Sequence, residues 1–189
     1  MAFDEQKAIA DAALAARGLE RSLPYPPAAE YLRTARERVG LSEEALRLRL
    51  GSGVHLCPAL ELYDSELFQC AEVSTLVSLA SALETSVAAL LYGEAPVSAL
   101  APVSCAEVTR RIRETLAATG ATADQFGDRV GWSVEAVLQE PDTLATYNVQ
   151  GLRDICAGVG VDWMCVLAWL ESDATQQGPG RVEGRRGTP

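Results

Sequence analysis

The stretch Gly40-Leu41-Ser42-Glu43-Glu44-Ala45-Leu46 recurs as Gly120-Ala121-Thr122-Ala123-Asp124-Gln125-Phe126, and this pair of matching stretches decides the fold. Gly51 and Gly131 continue the match at the same spacing of 80 residues. A second spacing of 76 residues relates later positions, namely Leu83 with Val159, Ser86 with Asp162, and Leu91 with Leu167. The chain therefore contains an internal repeat whose second copy is four residues shorter before its fourth helix.

The apolar residues between the repeated landmarks follow a helical period. Five of them fall on one helical face, namely Val73, Leu76, Val77, Ala80 and Leu83. Ser86 is then a suitable N-cap for a helix over residues 87–91. No alternating strand pattern stands out in the 189 residues, and aromatic residues make up only 6% of them. The sequence predicts an all-α protein.

Both copies resemble the Cro/repressor-type helix-turn-helix domain, of the xenobiotic-response-element family, over residues 28–92 and 105–172. The resemblance implies two tandem five-helix bundles. Residues 1–27 are then an extra N-terminal helix with a proline-rich lead-in, and residues 93–104 are a linker. Residues 173–189 are rich in Gly, Gln, Arg and Pro, which predicts a disordered, flexible tail.

The resemblance also implies one structural ion pair. In this family the counterpart of Arg36 commonly pairs with the glutamate that closes helix three, here Glu61. The second copy has Leu116 and Pro141 at these positions, so it lacks the pair.

Family membership usually implies DNA binding, because helix three enters the major groove. The two helix-three segments are residues 51–64, GSGVHLCPALELYD, and residues 131–142, GWSVEAVLQEPD, and neither contains Lys or Arg. Reading DNA requires cations that neutralise phosphates. Pro58 is tolerated only at a helix start, which shortens helix three of the first copy. We therefore expect weak or absent DNA binding.

The charge distribution also argues against DNA binding. No Lys or Arg occurs between Arg49 and Arg110, and the whole chain has a formal net charge of −10. Such a potential repels nucleic acid and attracts basic partners. An acidic balance that merely keeps the protein soluble is the alternative. Arginines do cluster in the first helix of each copy, where interleaved glutamates indicate solvated helix faces.

Nothing in the sequence indicates an enzyme or a cofactor. The single histidine, His55, lies beside Cys57 without an orienting residue, and metal-ligand and phosphate-loop motifs are missing. The five cysteines show no C-x-x-C spacing, which favours reduced thiols in the cytoplasm. No apolar run is long enough to span a membrane.

Two functions remain open. The first is an acidic protein-binding module, such as an immunity protein or antitoxin that covers a basic toxin; the second is a DNA-binding transcriptional regulator. The oligomeric state is open as well. For the first function, the expected partner-binding residues mix apolar anchors with carboxylates. They are Val54, His55, Leu56, Tyr63, Asp64, Glu66, Trp132, Glu135, Gln139, Glu140, Asp142 and Tyr147. Leu67 and Phe68 belong to the same connection, and they and Tyr147 could equally fill gaps between helices.

Overall fold

The computed structural model describes residues 25–50, 58–93 and 101–177. The first half contains α1 (Ala28–Arg38), α2 (Glu43–Leu50), a 3₁₀ turn (Pro58–Glu61), α3 (Glu66–Gln69), α4 (Val73–Ala82) and α5 (Val87–Tyr92). The second half contains α6 (Cys105–Thr119), α7 (Ala123–Val130), α8 (Glu135–Gln139), a 3₁₀ turn (Pro141–Thr146), α9 (Val149–Gly158) and α10 (Trp163–Gln177). Within these described ranges the fold is all-α, as predicted.

Several helices begin at the polar caps that the sequence offers. The hydroxyl of Ser86 accepts a hydrogen bond from the N–H of Ala89 at 3.1 Å and so caps α5. Thr122 and Gln125 form a reciprocal capping box at the start of α7. Gly40 and Gly120 both have φ near +70°, a left-handed conformation that ends α1 and α6.

The 76-residue spacing holds in the core. Buried residues of α4 and α5 recur at that spacing in α9 and α10, all at most 2% exposed: Val73 with Val149, Leu76 with Leu152, Leu79 with Ile155, Leu90 with Val166, and Leu91 with Leu167. Even the backbone follows it, because Glu84 and Gly160 both have positive φ after the preceding helix. The repeated sequence therefore places equivalent side chains in equivalent core positions.

The structure decides one open alternative and corrects one expected boundary. Residues 66–69 form the short helix α3, and Leu67 and Phe68 are buried in the core, so these two side chains fill the interior and are not available for contact. The tail expected to be disordered from residue 173 is helical as far as Gln177, because α10 continues past the expected boundary. Residues 1–24, including the expected N-terminal helix, and the tail from residue 178 lie outside the described residues.

The two halves pack directly against each other. Helix α4 contacts the 3₁₀ turn Pro141–Thr146, while α9 contacts α3 and α5 contacts α10. Buried side chains from both halves form one hydrophobic cluster. In the described ranges no helix has the length and apolar character required to cross a membrane.

Candidate protein-binding surface

The surface begins at α8, the segment that the resemblance assigns to helix three of the second copy. Val134 and Val137 are buried and anchor this short helix, whereas Glu135 and Gln139 are exposed. Glu140 and Asp142 follow and are also exposed. The outer face of the segment is therefore polar and acidic.

Gly127 sets the position of α8. A Cβ at this residue would lie 2.9 Å from the carbonyl oxygen of Trp132, which is closer than real Cβ atoms come to backbone. The turn between α7 and α8 can pass this close only because position 127 lacks a side chain. The equivalent position in the first half is Arg47, which is exposed and paired with Glu44.

An aromatic pair supports the edge of the acidic segment. Trp132 and Tyr147 meet edge to face with ring centroids 6.0 Å apart, and both pack over Gly151. The indole N–H of Trp132 donates to Asp154 at 3.3 Å, and the phenol of Tyr147 donates to the carbonyl of Ser133. Burial raises the pKa of that phenol. Both rings are half-buried, so they are held in place while keeping an accessible edge.

The described residues of the corresponding surface in the first half are more buried than the acidic residues of the second half. Tyr63, Asp64 and Glu66 are half-buried. The carboxylate of Asp64 accepts a hydrogen bond from the N–H of Ala29 at 3.2 Å, which satisfies a backbone donor in the first turn of α1. Asp64 therefore has a structural role that the sequence did not predict. Val54, His55 and Leu56 lie outside the described residues.

The expected ion pair between Arg36 and Glu61 is present. The Nε atom of Arg36 lies 2.7 Å from one carboxylate oxygen of Glu61, and Nη2 donates to the other at 2.9 Å. A third guanidinium bond reaches the carbonyl of Leu41 at 2.8 Å. The side chains are only 11% and 13% exposed. This hydrogen bonding to Glu61, more than its charge, raises the pKa of Arg36.

Other arginines of α1 are also held by the protein itself. Arg33 donates to the carbonyl of Glu61 at 3.1 Å. Arg38 donates to the carbonyls of Leu83 and Glu84 at the end of α4, at 2.9 and 3.1 Å. Arg33 is half-buried, so the prediction of a solvated face is wrong for it; Arg38 is exposed as predicted but also bonded to these carbonyls.

In α6, Arg110 and Arg111 pair with acids on the same helix, whereas Arg113 donates to the carbonyl of Leu138 in α8. Glu107 accepts hydrogen bonds from Arg110 and Arg111, which hold its pKa at about 2. Arg110 also pairs with Glu114. Here the sequence-based interpretation of a solvated, charge-paired helix face agrees with the contacts.

Sequence reasoning missed one group of aromatic residues. Phe68 lies between Tyr25 and Tyr92, with centroid distances of 5.0 and 5.9 Å, and Tyr92 lies 6.4 Å from Trp163. These four rings connect the two halves, and Tyr92 remains 42% exposed. No local pattern could reveal the group, because its members come from distant parts of the chain.

Two buried thiols, those of Cys105 and Cys156, are poor candidates for nucleophiles. Burial raises the pKa of Cys105 and of Cys156 to about 12, so neither is a thiolate at neutral pH. Across residues 25–50, 58–93 and 101–177, no group of three or more His, Cys, Asp or Glu side chains is arranged to hold a metal ion.

Comparison with known proteins adds no relative: no protein-family model, curated protein or solved structure matches the chain.

Proposed function

We propose that the chain is a non-enzymatic, acidic protein-binding module built on two degenerate helix-turn-helix repeats. In this proposal it acts in the cytoplasm as an immunity protein or antitoxin that covers the basic surface of a toxin. The observation that carries the proposal is the exposed face of the second helix-three segment, which displays three carboxylates and whose own residues include no Lys or Arg. The exposed residues are Glu135, Gln139, Glu140 and Asp142.

The chemistry of this face suits a basic partner. Carboxylates steer an oppositely charged protein and accept hydrogen bonds from its Arg and Lys side chains. Trp132 and Tyr147, fixed by their own hydrogen bonds, supply aromatic area that costs little entropy on binding. We therefore assign to the partner the surface formed by the rings of Trp132 and Tyr147 and the neighbouring carboxylates.

The alternative is a DNA-binding transcriptional regulator, which the resemblance alone favours. Phosphate contacts would have to come from arginines, because the helix-three segments have no cations. Arg33, Arg36 and Arg38 already donate to Glu61 or to carbonyls within the first half. Releasing them to phosphates would break these contacts.

The experiment uses the product of the gene adjacent to that of this chain as the binding partner. Two variants reverse two charges each: Glu135→Lys/Glu140→Lys on the proposed face, and Glu30→Lys/Glu37→Lys on the exposed side of α1 as the control. Both change the net charge equally, and circular dichroism establishes that both fold. Dissociation constants are then measured at several salt concentrations.

We expect the face variant to weaken binding by at least about tenfold, or 1.4 kcal/mol, and to reduce its salt dependence, while the control binds like the wild type. An equal loss of affinity in both variants would show that net charge alone determines binding and would contradict the assignment of this face. Sequence-selective retention of the upstream DNA at physiological salt, with Kd in the range of about 10⁻⁸–10⁻¹¹ M, would instead support the regulator.

A further inference from the structure

One contact between the halves joins a residue to its own counterpart. Glu72 and Asn148 form an isolated antiparallel bridge, and they are 76 residues apart, the spacing that relates α4 to α9. Each directly precedes its helix as the N-cap residue. The N–H of Val73 donates to the carbonyl of Tyr147 at 2.8 Å across this bridge. When a position meets its own counterpart, the contact lies on a local twofold axis.

Three of the neighbouring contacts obey the same axis, whereas the packing of α4 on α10 has no equally extensive image between α5 and α9. Helix α3 packs on α9, and the 3₁₀ turn Pro141–Thr146 packs on α4. The 76-residue spacing maps α3 into that turn and α4 onto α9, so each of the two contacts is the twofold image of the other. The contact of α5 with α10 maps onto itself. Reciprocal contacts of this kind define an isologous interface, the type found in twofold homodimers.

Other contacts across the interface occur only once. The carboxylate of Glu171 in α10 accepts a hydrogen bond from the N–H of Val87, at the start of α5, at 2.5 Å. Its counterpart in the sequence is Ala95, which has no carboxylate. The interface therefore combines symmetric helix packing with contacts that are present on only one side of the axis.

We propose that the chain is a single-chain pseudo-dimer, in which each half covers the face through which a lone half would pair with its own copy. The occupant of that face is the other half of the same molecule, and the protein works as a monomer. Tethering gives the covering half an effective concentration in the millimolar range, so a second chain at micromolar concentration does not displace it. This interface adjoins the proposed acidic face, because Tyr147 and the turn that contains Asp142 belong to both. It does not depend on any partner.

Disulfide trapping across the axis tests the proposal. An antiparallel pair of this kind, whose flanking residues make the hydrogen bonds, has Cα atoms about 4.5 Å apart. A disulfide needs about 4.4–6.8 Å. The variant Glu72→Cys/Asn148→Cys is made in full-length protein carrying Cys57→Ser and Cys70→Ser, and it is oxidised at micromolar concentration. The matched controls are the two single variants, Glu72→Cys and Asn148→Cys, in the same background.

The twofold axis makes the outcomes distinct. We expect the double variant to form a disulfide within one chain, with loss of two thiols and a mass of one chain, about 20 kDa, on a non-reducing gel. The single variants stay monomeric. An open face would pair two molecules through equivalent positions and place residue 72 against residue 72, so covalent dimers from the single variants would overturn the proposal. Failure of the double variant to close its disulfide while its circular dichroism matches the wild type would overturn it as well.

Discussion

Removing Glu61 should destabilise the protein far more than removing a chemically similar glutamate on the surface. The Arg36–Glu61 pair is bidentate and about nine-tenths buried. Loss of one partner from a buried pair leaves an uncompensated charge and costs about 3–5 kcal/mol. Because some exposure remains and Arg36 keeps its bond to a carbonyl, we expect the lower end, about 3 kcal/mol, for Glu61→Ala. In a chain of this size that lowers Tm by about 6–12 °C.

The matched control is Glu44→Ala. Glu44 also forms a bidentate pair with an arginine, Arg47, but the side chains are 64% and 55% exposed. We expect no measurable change in stability there. Urea unfolding followed by circular dichroism gives both free energies. A loss for Glu61→Ala no greater than that for Glu44→Ala would refute the argument that burial sets the cost. The apolar replacement Arg36→Met/Glu61→Met should recover much of the loss, because it removes both charges together.

The remaining predictions concern a close approach, a half-buried carboxyl and the thiols. Gly127→Ala should lower the free energy of unfolding by about 1–3 kcal/mol despite the better helix propensity of alanine, because its Cβ meets backbone at 2.9 Å; a gain in Tm would exclude that clash. Burial raises the pKa of Glu171, although a backbone hydrogen bond opposes this. A carboxyl whose folded pKa lies above its unfolded value stabilises the fold fully at low pH and loses that contribution as pH rises through the folded pKa. Glu171→Gln should therefore gain stability relative to the wild type between pH 4 and pH 7, measured by urea unfolding, and an equal difference at both pH values would contradict this. In the native protein at pH 8, N-ethylmaleimide should modify the exposed Cys70 but neither Cys105 nor Cys156, which mass spectrometry after digestion will report.

The sequence predicted best what local patterns determine. The apolar period of α4, the cap at Ser86 and the landmarks of the repeat all depend on residues within a few turns of one another. The Arg36–Glu61 pair, 25 residues apart, came from the family resemblance and not from spacing. By contrast, the bonds from Arg38 to the end of α4 span 45 residues or more, and nothing local signals them.

The candidate surface was predictable in part for the same reason. The exposure of Glu135 and Gln139 follows from the helical period that buries Val137. The engagement of Asp64 with α1 does not follow, because it requires knowing where a helix 35 residues earlier begins in space. Partner binding by these residues stays a prediction.

The direct packing of the halves within one chain has an evolutionary consequence. A protein assembled from two identical subunits carries every substitution twice, so a change that suits one site is imposed on the other. Here each half has its own codons. One half keeps the Arg36–Glu61 pair, while the other has the partly buried Leu116 and Pro141 at those positions. Within one chain, each half can therefore change its own residues without imposing the change on the other half and without loss of the contacts that hold the halves together.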